Sequence, residues 1–332
     1  MKGWPKENTD KTDQSHGFFM NWKAFFLILL AAGVTCGQKV DPNKYAVIIN
    51  GPGGEATYTK QFEEWTAQLK SLLSDRYGFD AKNITVPRAT AEEVKSVFGT
   101  LKSQLDANNV LFVFLIGHGS FDGKESKFNL IGPDLSASEY NALLSSLPTK
   151  RVVVFNMSSA SGEFIKSLAA KGRIVVTATR NGQETNATRF TGFFISALNA
   201  TDADTDQDGH TSVLEAFVYA NRLTGDFYKR AGRLATEHAL IDDNGDGVGH
   251  EKVEAGEGLL ARATYLDSLS VDEAAATAAT GRLLKERTRL EGEIEQLIAR
   301  KGITPEAEYE ATLERLFVEL AKVNRSIKQA GS

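Results

Sequence analysis

The chain has 332 residues, 42% hydrophobic and 24% charged, an ordinary globular composition that argues against a disordered chain and is long enough for one large domain with an accessory segment. With 38 basic and 43 acidic side chains the net charge is -5. No basic run is dense enough to follow a phosphate backbone, so nucleic acid is excluded as the expected partner.

The first 38 residues read as a leader. A polar stretch, MKGWPKENTDKTDQSHG, precedes Lys23 and the apolar run AFFLILLAAGV at 24–34, which is a secretory pattern. The run is about 11 residues, too short to span a bilayer without its flanks, so cleavage near 33–37 and an exported mature chain are expected, in the periplasm, outside the cell or on the outer envelope. Met20 is an alternative start, because MNWKAFFLILLAAG alone makes a compact signal peptide. The single cysteine, Cys36, follows the run. Lipid attachment there would tether the chain to a membrane, although Thr35 stands where a smaller residue is expected. A mature chain starting near residue 37 has neither a catalytic thiol nor a disulfide.

From Tyr45 short apolar runs alternate with longer helical patterns, which predicts an α/β domain over 39–265 with a mostly parallel sheet covered by helices. YAVIIN (45–50) ends in the turn GPGG, and helical spacing follows at 62–73 and 91–105. VLFVFLIGHGS (110–120) is a continuous apolar strand with glycine at its exit. After a looser stretch come RVVVFNM (151–157), a helix from about Glu163, RIVVTATR (173–180) and a helix at 191–198. Four core strands are predicted.

Two strand exits carry candidate chemistry. His118 stands between two glycines at the C-terminal end of a buried strand, where α/β sheets bind ligands. The N–H of Gly119 is placed to serve an oxyanion. The second exit reads MSSASG, small residues between strand and helix, the setting in which hydrolytic enzymes present a nucleophile. The other four histidines, His16, His210, His238 and His250, lack such a setting.

LFVFLIGHGS followed by VVVFNMSSASG resembles the legumain-type cysteine peptidases of the caspase-haemoglobinase fold, in which one apolar strand ends in His-Gly and a later one in Ala-Cys-x-Ser-Gly. YAVIINGPGG is similar to that family's first strand and turn, and the resemblance spans about residues 44–250. It implies a caspase-like sheet, His118 as the base and Ser159 at the nucleophile's position, 41 residues on, with Ser158 at the preceding Ala. Ala160 stands where legumains carry an acidic residue. A serine hydroxyl is not ionised near neutral pH as a thiol partly is, so Ser159 in a site built for sulfur is expected to abolish turnover unless the base is retuned. Asp122 and Asn156 are the nearest candidates in sequence to orient His118.

DTDQDGHTSVLE (204–215) fits an EF-hand loop. Asp204, Asp206 and Asp208 hold its first three ligand positions, Gly209 turns the chain, His210 offers its carbonyl, Ser212 ligates directly or through water, and Glu215 closes the shell bidentately. Thr211, where Ile or Val is usual, is the one deviation. Hard oxygen donors at this spacing suit Ca²⁺. DDNGDGVGHEKV (242–253) begins alike, with Asp242, Asn244, Asp246 and Gly247, but Val253 falls where the closing Glu belongs, leaving Glu251 or Glu254 as substitutes.

Over 266–332 two long helices are expected, joined at 301–305, as an antiparallel helical hairpin or coiled coil. Tyr309, Leu313, Leu316, Leu320, Val323 and Ile327 form one seam, and Leu283, Leu290, Ile294 and Leu297 form the other, interrupted by Arg287. The seams serve either to bury each other or to join a second copy. The expected function is binding or scaffolding of a peptide or protein partner at the former substrate cleft. A Ser159/His118 hydrolase of peptide bonds or esters, and a structural role for the hairpin, are the alternatives.

Overall fold

Val110–Ile116 is a run of seven apolar residues, all of them buried, as a strand must be when both faces of its sheet are covered. In the computed structural model, which describes residues 40–206, 210–253, 258–267, 280–300 and 305–330, this strand (β3) lies at the heart of a six-stranded sheet. The other strands are β1 (Lys44–Asn50), β2 (Ile84–Thr85), β7 (Arg151–Asn156), β8 (Arg173–Thr177) and β9 (Leu240–Asp242). Their order is β2-β1-β3-β7-β8-β9, parallel except for β9 at one edge. The fold is therefore mixed α/β with a mostly parallel sheet. The leader and Cys36 lie outside the described residues, among which no helix is long and apolar enough to cross a membrane.

Alternate residues of the strands feed two apolar layers. Ile48, Phe112, Phe114, Val153 and Phe155 pack under α1 (Ala56–Asp75), α5 (Phe190–Asn199) and α6 (Val213–Arg230). Ile49, Leu111, Val113, Val152 and Val154 pack under α2 (Ala91–Gln104), α3 (Ala137–Ser145) and α4 (Phe164–Leu168). The rings of Phe114 and Phe155 stack with centroids 5.1 Å apart across β3 and β7.

Chain order places the crevice. From β1 the chain steps outward to β2, then returns to the other side of β1 as β3. The strand order reverses at that point, and the helices before β2 and β3 leave a gap above the C-terminal ends of β1 and β3. Residues 51–53 and 117–119 stand at its rim.

Six strands form the sheet where four were expected. β2 has two residues and β9 three, too few for a periodic pattern to register. The strand expected to 120 ends at Ile116, and Gly119–Phe121 opens a separate antiparallel sheet (β4) with β5 (Ser126–Phe128) and β6 (Leu135–Ser136). That small sheet and α3 occupy the stretch that looked loose in sequence. α3 starts there because Ser136 and Glu139 form a reciprocal capping box.

The segment 264–267 straps the entry to α6 to the start of β1. Val213 N–H donates to Thr264 O at 2.8 Å, and Leu266 N–H to Thr211 O at 3.0 Å. Lys44, fully buried at the start of β1, donates from Nζ to the carbonyls of Leu266 (2.8 Å) and Asp267 and lies 5.2 Å from the centre of the Phe79 ring. The helices Thr280–Ala299 and Glu306–Ala330 pack on each other through Leu290, Ile294 and Leu297 from the first and Leu313, Leu316, Leu320 and Val323 from the second. Arg287, the interruption in the first seam, is 3% exposed with its guanidinium 5.1 Å over the Tyr265 ring. The polar residue in the seam is thus where the helix pair meets the strap.

Candidate functional site

His118 leaves β3 one residue past Gly117 and reaches back across the crevice. Its Nε2 lies 3.2 Å from the carbonyl oxygen of Gly53, at the exit of β1. A carbonyl only accepts, so Nε2 carries the proton and Nδ1 is the basic nitrogen of the neutral ring. The rings of Tyr58 and Phe62 on α1 meet the imidazole edge-on, each with centroids 5.1 Å away, and fix its plane.

Ser159 sits at the exit of β7, beside β3, and is 1% exposed. Its Oγ accepts from the N–H of Gly119 at 3.1 Å and lies 3.2 Å from the Gly119 carbonyl, to which it donates. The N–H expected to face an oxyanion is therefore held by the serine. No hydrogen bond joins Ser159 to His118 among the described residues. The approach of the two strand exits explains Gly119 itself, because a Cβ there would lie 2.3 Å from the carbonyl oxygen of Ser159.

The turn is fixed by its own side chains. Asn156 Oδ1 accepts from the N–H of Ser158 at 3.2 Å and from its Oγ at 2.7 Å. Ala160 adopts a left-handed φ of 51°, unusual for a residue with a Cβ, and its N–H donates to the Glu184 carbonyl at 2.8 Å. Ser161 and Thr179 join hydroxyls at 3.1 Å, and the N–H of Gly162 donates to Thr179 Oγ1. Asn156 thus serves the turn rather than His118. Asp122 is also elsewhere: it is exposed, accepts from the N–H groups of Lys124 and Glu125, and pairs with Lys127 Nζ at 3.1 Å. The Glu125 N–H first, then the Lys127 ammonium and the Lys124 N–H, hold its carboxyl at about 2.

His238, which carries no motif in sequence, does have a carboxylate partner. Its Nδ1 lies 2.5 Å from Glu184 Oε1, 54 residues away along the chain. It lines a cavity of about 540 Å³ between α6 and the entry to β9. Next to it Glu237, 2% exposed, caps α5: its carboxylate accepts from the N–H groups of Arg189 and Phe190 and from Tyr228 Oη at 2.9 Å. Burial pushes the Glu237 carboxyl up, against the pull of those backbone donors. A second cavity, of about 290 Å³, opens beside Tyr58 and holds Arg189 and Arg233. No spacing in the sequence pointed to these groups, since each pairing is made by the tertiary fold.

Of the acidic residues at 204–215, Asp204, Asp206 and Glu215 bring carboxylate oxygens within 4.8 Å of one another. Glu215 caps α6 in a capping box with Ser212, whose hydroxyl donates to Glu215 Oε2 at 2.8 Å. The His210 ring turns to Asp267 Oδ2 at 3.0 Å. Asp208 lies outside the described residues. In the second loop Asp242 accepts from the N–H groups of Gly245 and Gly247, Asn244 Oδ1 from the N–H of Asp246, and Asp246 Oδ1 from the N–H of Val248. Among the described residues that loop assembles no cluster of three acidic, His or Cys groups. Both loops lie at the end of the sheet away from His118: one beside Asp267, which meets Lys44 at the start of β1, and the other on Ala170, before β8.

No protein-family model matches the chain, and no curated protein matches it. Among solved structures, a structural-genomics protein of Geobacter sulfurreducens is similar at 15% identity and a TM-score of 0.41, over 60% of this chain and 93% of that one. Caspase-1 of Spodoptera frugiperda is similar at 12% identity and a TM-score of 0.41, over 62% of this chain and 88% of that one.

Proposed function

We propose that the chain is an exported, calcium-binding protein of the legumain and caspase type that holds a peptide or protein segment in the crevice between His118 and Ser159 without cleaving it. The observation that carries this reading is the state of the Ser159 hydroxyl, closed from both sides by the backbone of Gly119. A serine nucleophile needs its proton directed at a base, and here that proton goes to the Gly119 carbonyl. The order of the motifs, His-Gly and then Ser-x-Ser-Gly on adjacent strands, supports the family. The leader and its apolar run support export.

Peptidase and esterase activity of the purified chain in Ca²⁺ is expected to be indistinguishable from that of Ser159→Ala, measured over a fluorogenic peptide library and p-nitrophenyl esters. Ser159→Cys is expected to gain turnover, because a thiol is partly ionised near neutral pH where the hydroxyl is not. Cleavage by the wild type that disappears in Ser159→Ala would replace this reading with a serine hydrolase.

The residues of the first acidic loop fit Ca²⁺: three carboxylates converge there, like charges whose repulsion a cation relieves. Asp204, Asp206 and Glu215 would hold the ion, with Asp208 and the carbonyl of His210 from the same loop. The ion would brace the entry to α6 and stand apart from the crevice. Ca²⁺ at a hundred times its Kd is expected to add about 3 kcal/mol to stability. Thermal melting in Ca²⁺ and in EDTA reads this directly, and an equal gain in the doubly altered Asp204→Asn, Glu215→Gln chain would remove the loop from the account.

A further inference from the structure

The leucine seam of the helix Glu306–Ala330 is already covered within the chain by the helix Thr280–Ala299. A second apolar feature stands on its outer side: Phe317 and Val318 are 50% and 47% exposed, and they lie at the midpoint of the 25 residues. Charge divides about that midpoint. Glu306, Glu308, Glu310 and Glu314 come before it, Lys322 and Arg325 after it. The two exceptions, Arg315 and Glu319, pair with each other at 3.2 Å. Glu310 lies about two turns before Phe317 and Arg325 about two turns after Val318, so all four residues share one face. Both charged residues are exposed, and among the described residues neither forms an ion pair.

We propose that a second copy of this chain covers that face, the two helices lying antiparallel about a two-fold axis between residues 317 and 318. An isologous contact must be complementary to itself, and a helix acidic in one half and basic in the other meets that condition when its two copies run antiparallel. In this register Phe317 packs on Val318 of the second copy, and Glu310 meets Arg325 of the second copy, each contact being made twice. Ala321, exposed on the same face, falls opposite Glu314 and leaves room for its stem. A parallel arrangement would set each charge against its own like. One helix face is a small interface, so the dimer is reversible rather than obligate. The contact uses no residue of the crevice and none of the seam between the two helices of one chain.

The test is sedimentation velocity of the purified chain at low salt, from low to high micromolar concentration, with far-UV circular dichroism to show that each variant keeps its helices. The mass is expected to rise toward twice that of the monomer. Phe317→Ser together with Val318→Ser should abolish the rise. Glu310→Arg and Arg325→Glu should each weaken self-association about thirtyfold, because two symmetric pairs turn from attractive to repulsive. An equimolar mixture of these two single variants should associate as the wild type does, since each then offers the charge that the other lacks. The chain carrying both changes should associate likewise. A mass that never leaves the monomer's overturns the inference and gives the face to a different protein. A dimer that survives the change at Phe317 and Val318 is joined elsewhere and overturns it as well. Single charge variants that associate like the wild type, or a mixture that stays monomeric, overturn the antiparallel pairing.

Discussion

Gly162→Ala is expected to lower the stability of the chain by about 3 kcal/mol or more. A Cβ at this position would lie 2.2 Å from the carbonyl carbon of Arg180 and 2.3 Å from the nitrogen of Asn181. Both are backbone atoms, which have no rotamer through which to withdraw. The turn from Ser158 to Gly162 would have to lift off the exit of β8, breaking the Gly162 and Ser161 bonds to Thr179 and the Ala160 bond to Glu184. Ser159 rides on that turn, so the crevice should lose its shape as well. Gly99, in the middle of α2, is the control: a Cβ there meets nothing within 4 Å, and Gly99→Ala should stabilise by about 0.5–1 kcal/mol through helix propensity. Urea unfolding of the two variants measures the contrast. A loss below about 1 kcal/mol for Gly162→Ala would mean that the turn is not packed as described.

Raising the pH from about 7.5 to 9.5 is expected to strengthen the fold by about 2 kcal/mol through Lys44 alone. Burial is the largest cause and pushes its ammonium down from 10.5 to about 8, against the attraction of Asp267 and Asp41. Below about 8 the folded chain carries a buried ammonium and the full cost of desolvating it. Between about 8 and 10.5 the folded state has released a proton that the unfolded state still holds, so stability rises with pH over that window. The stability linked to neutral Lys44 is complete above 10.5 and is lost as the pH falls through about 8. Denaturant unfolding of the wild type and Lys44→Met at pH 7.5, 8.5 and 9.5 isolates this group, because other titrations are common to both chains. Parallel curves for the two proteins would refute the assignment. The carbonyls of Leu266 and Asp267 lose their donor in the variant, which lowers its stability at every pH without altering the slope.

The sheet was legible where its strands are long. Val110–Ile116 and Arg151–Asn156 read as buried strands because the second has one exposed residue and the first none, and burial on both faces leaves a continuous apolar run. β2, β5, β6 and β9 have two or three residues each, and their pairing depends on where neighbouring segments have already been placed. The helix pair shows the same division. Its leucine seam was visible as a four-three rhythm, whereas Arg287 looked like a defect until the fold put Tyr265 beneath it.

The site divides along the same line. That His118 and Ser159 end adjacent strands could be read from two apolar runs, each followed by small residues. Which atoms each side chain would touch could not. The Gly53 carbonyl, 65 residues away, decides which nitrogen of His118 holds the proton. The Gly119 backbone, 40 residues away, takes both hydrogen-bonding capacities of Ser159. His238 gained its carboxylate, and Arg189 and Arg233 their shared cavity, only through the fold.

By itself the sequence determined an α/β chain with a mostly parallel sheet and two strand exits carrying His118 and the 158–162 turn, because hydrophobic periodicity and glycine placement are local properties of the chain. The tertiary structure alone decided which exits meet, which hydroxyls and imidazoles are spoken for, and where a buried lysine stands. Hydrogen bonds of about 3 Å between residues 40 to 220 positions apart depend on strand order and register, and no local pattern encodes those.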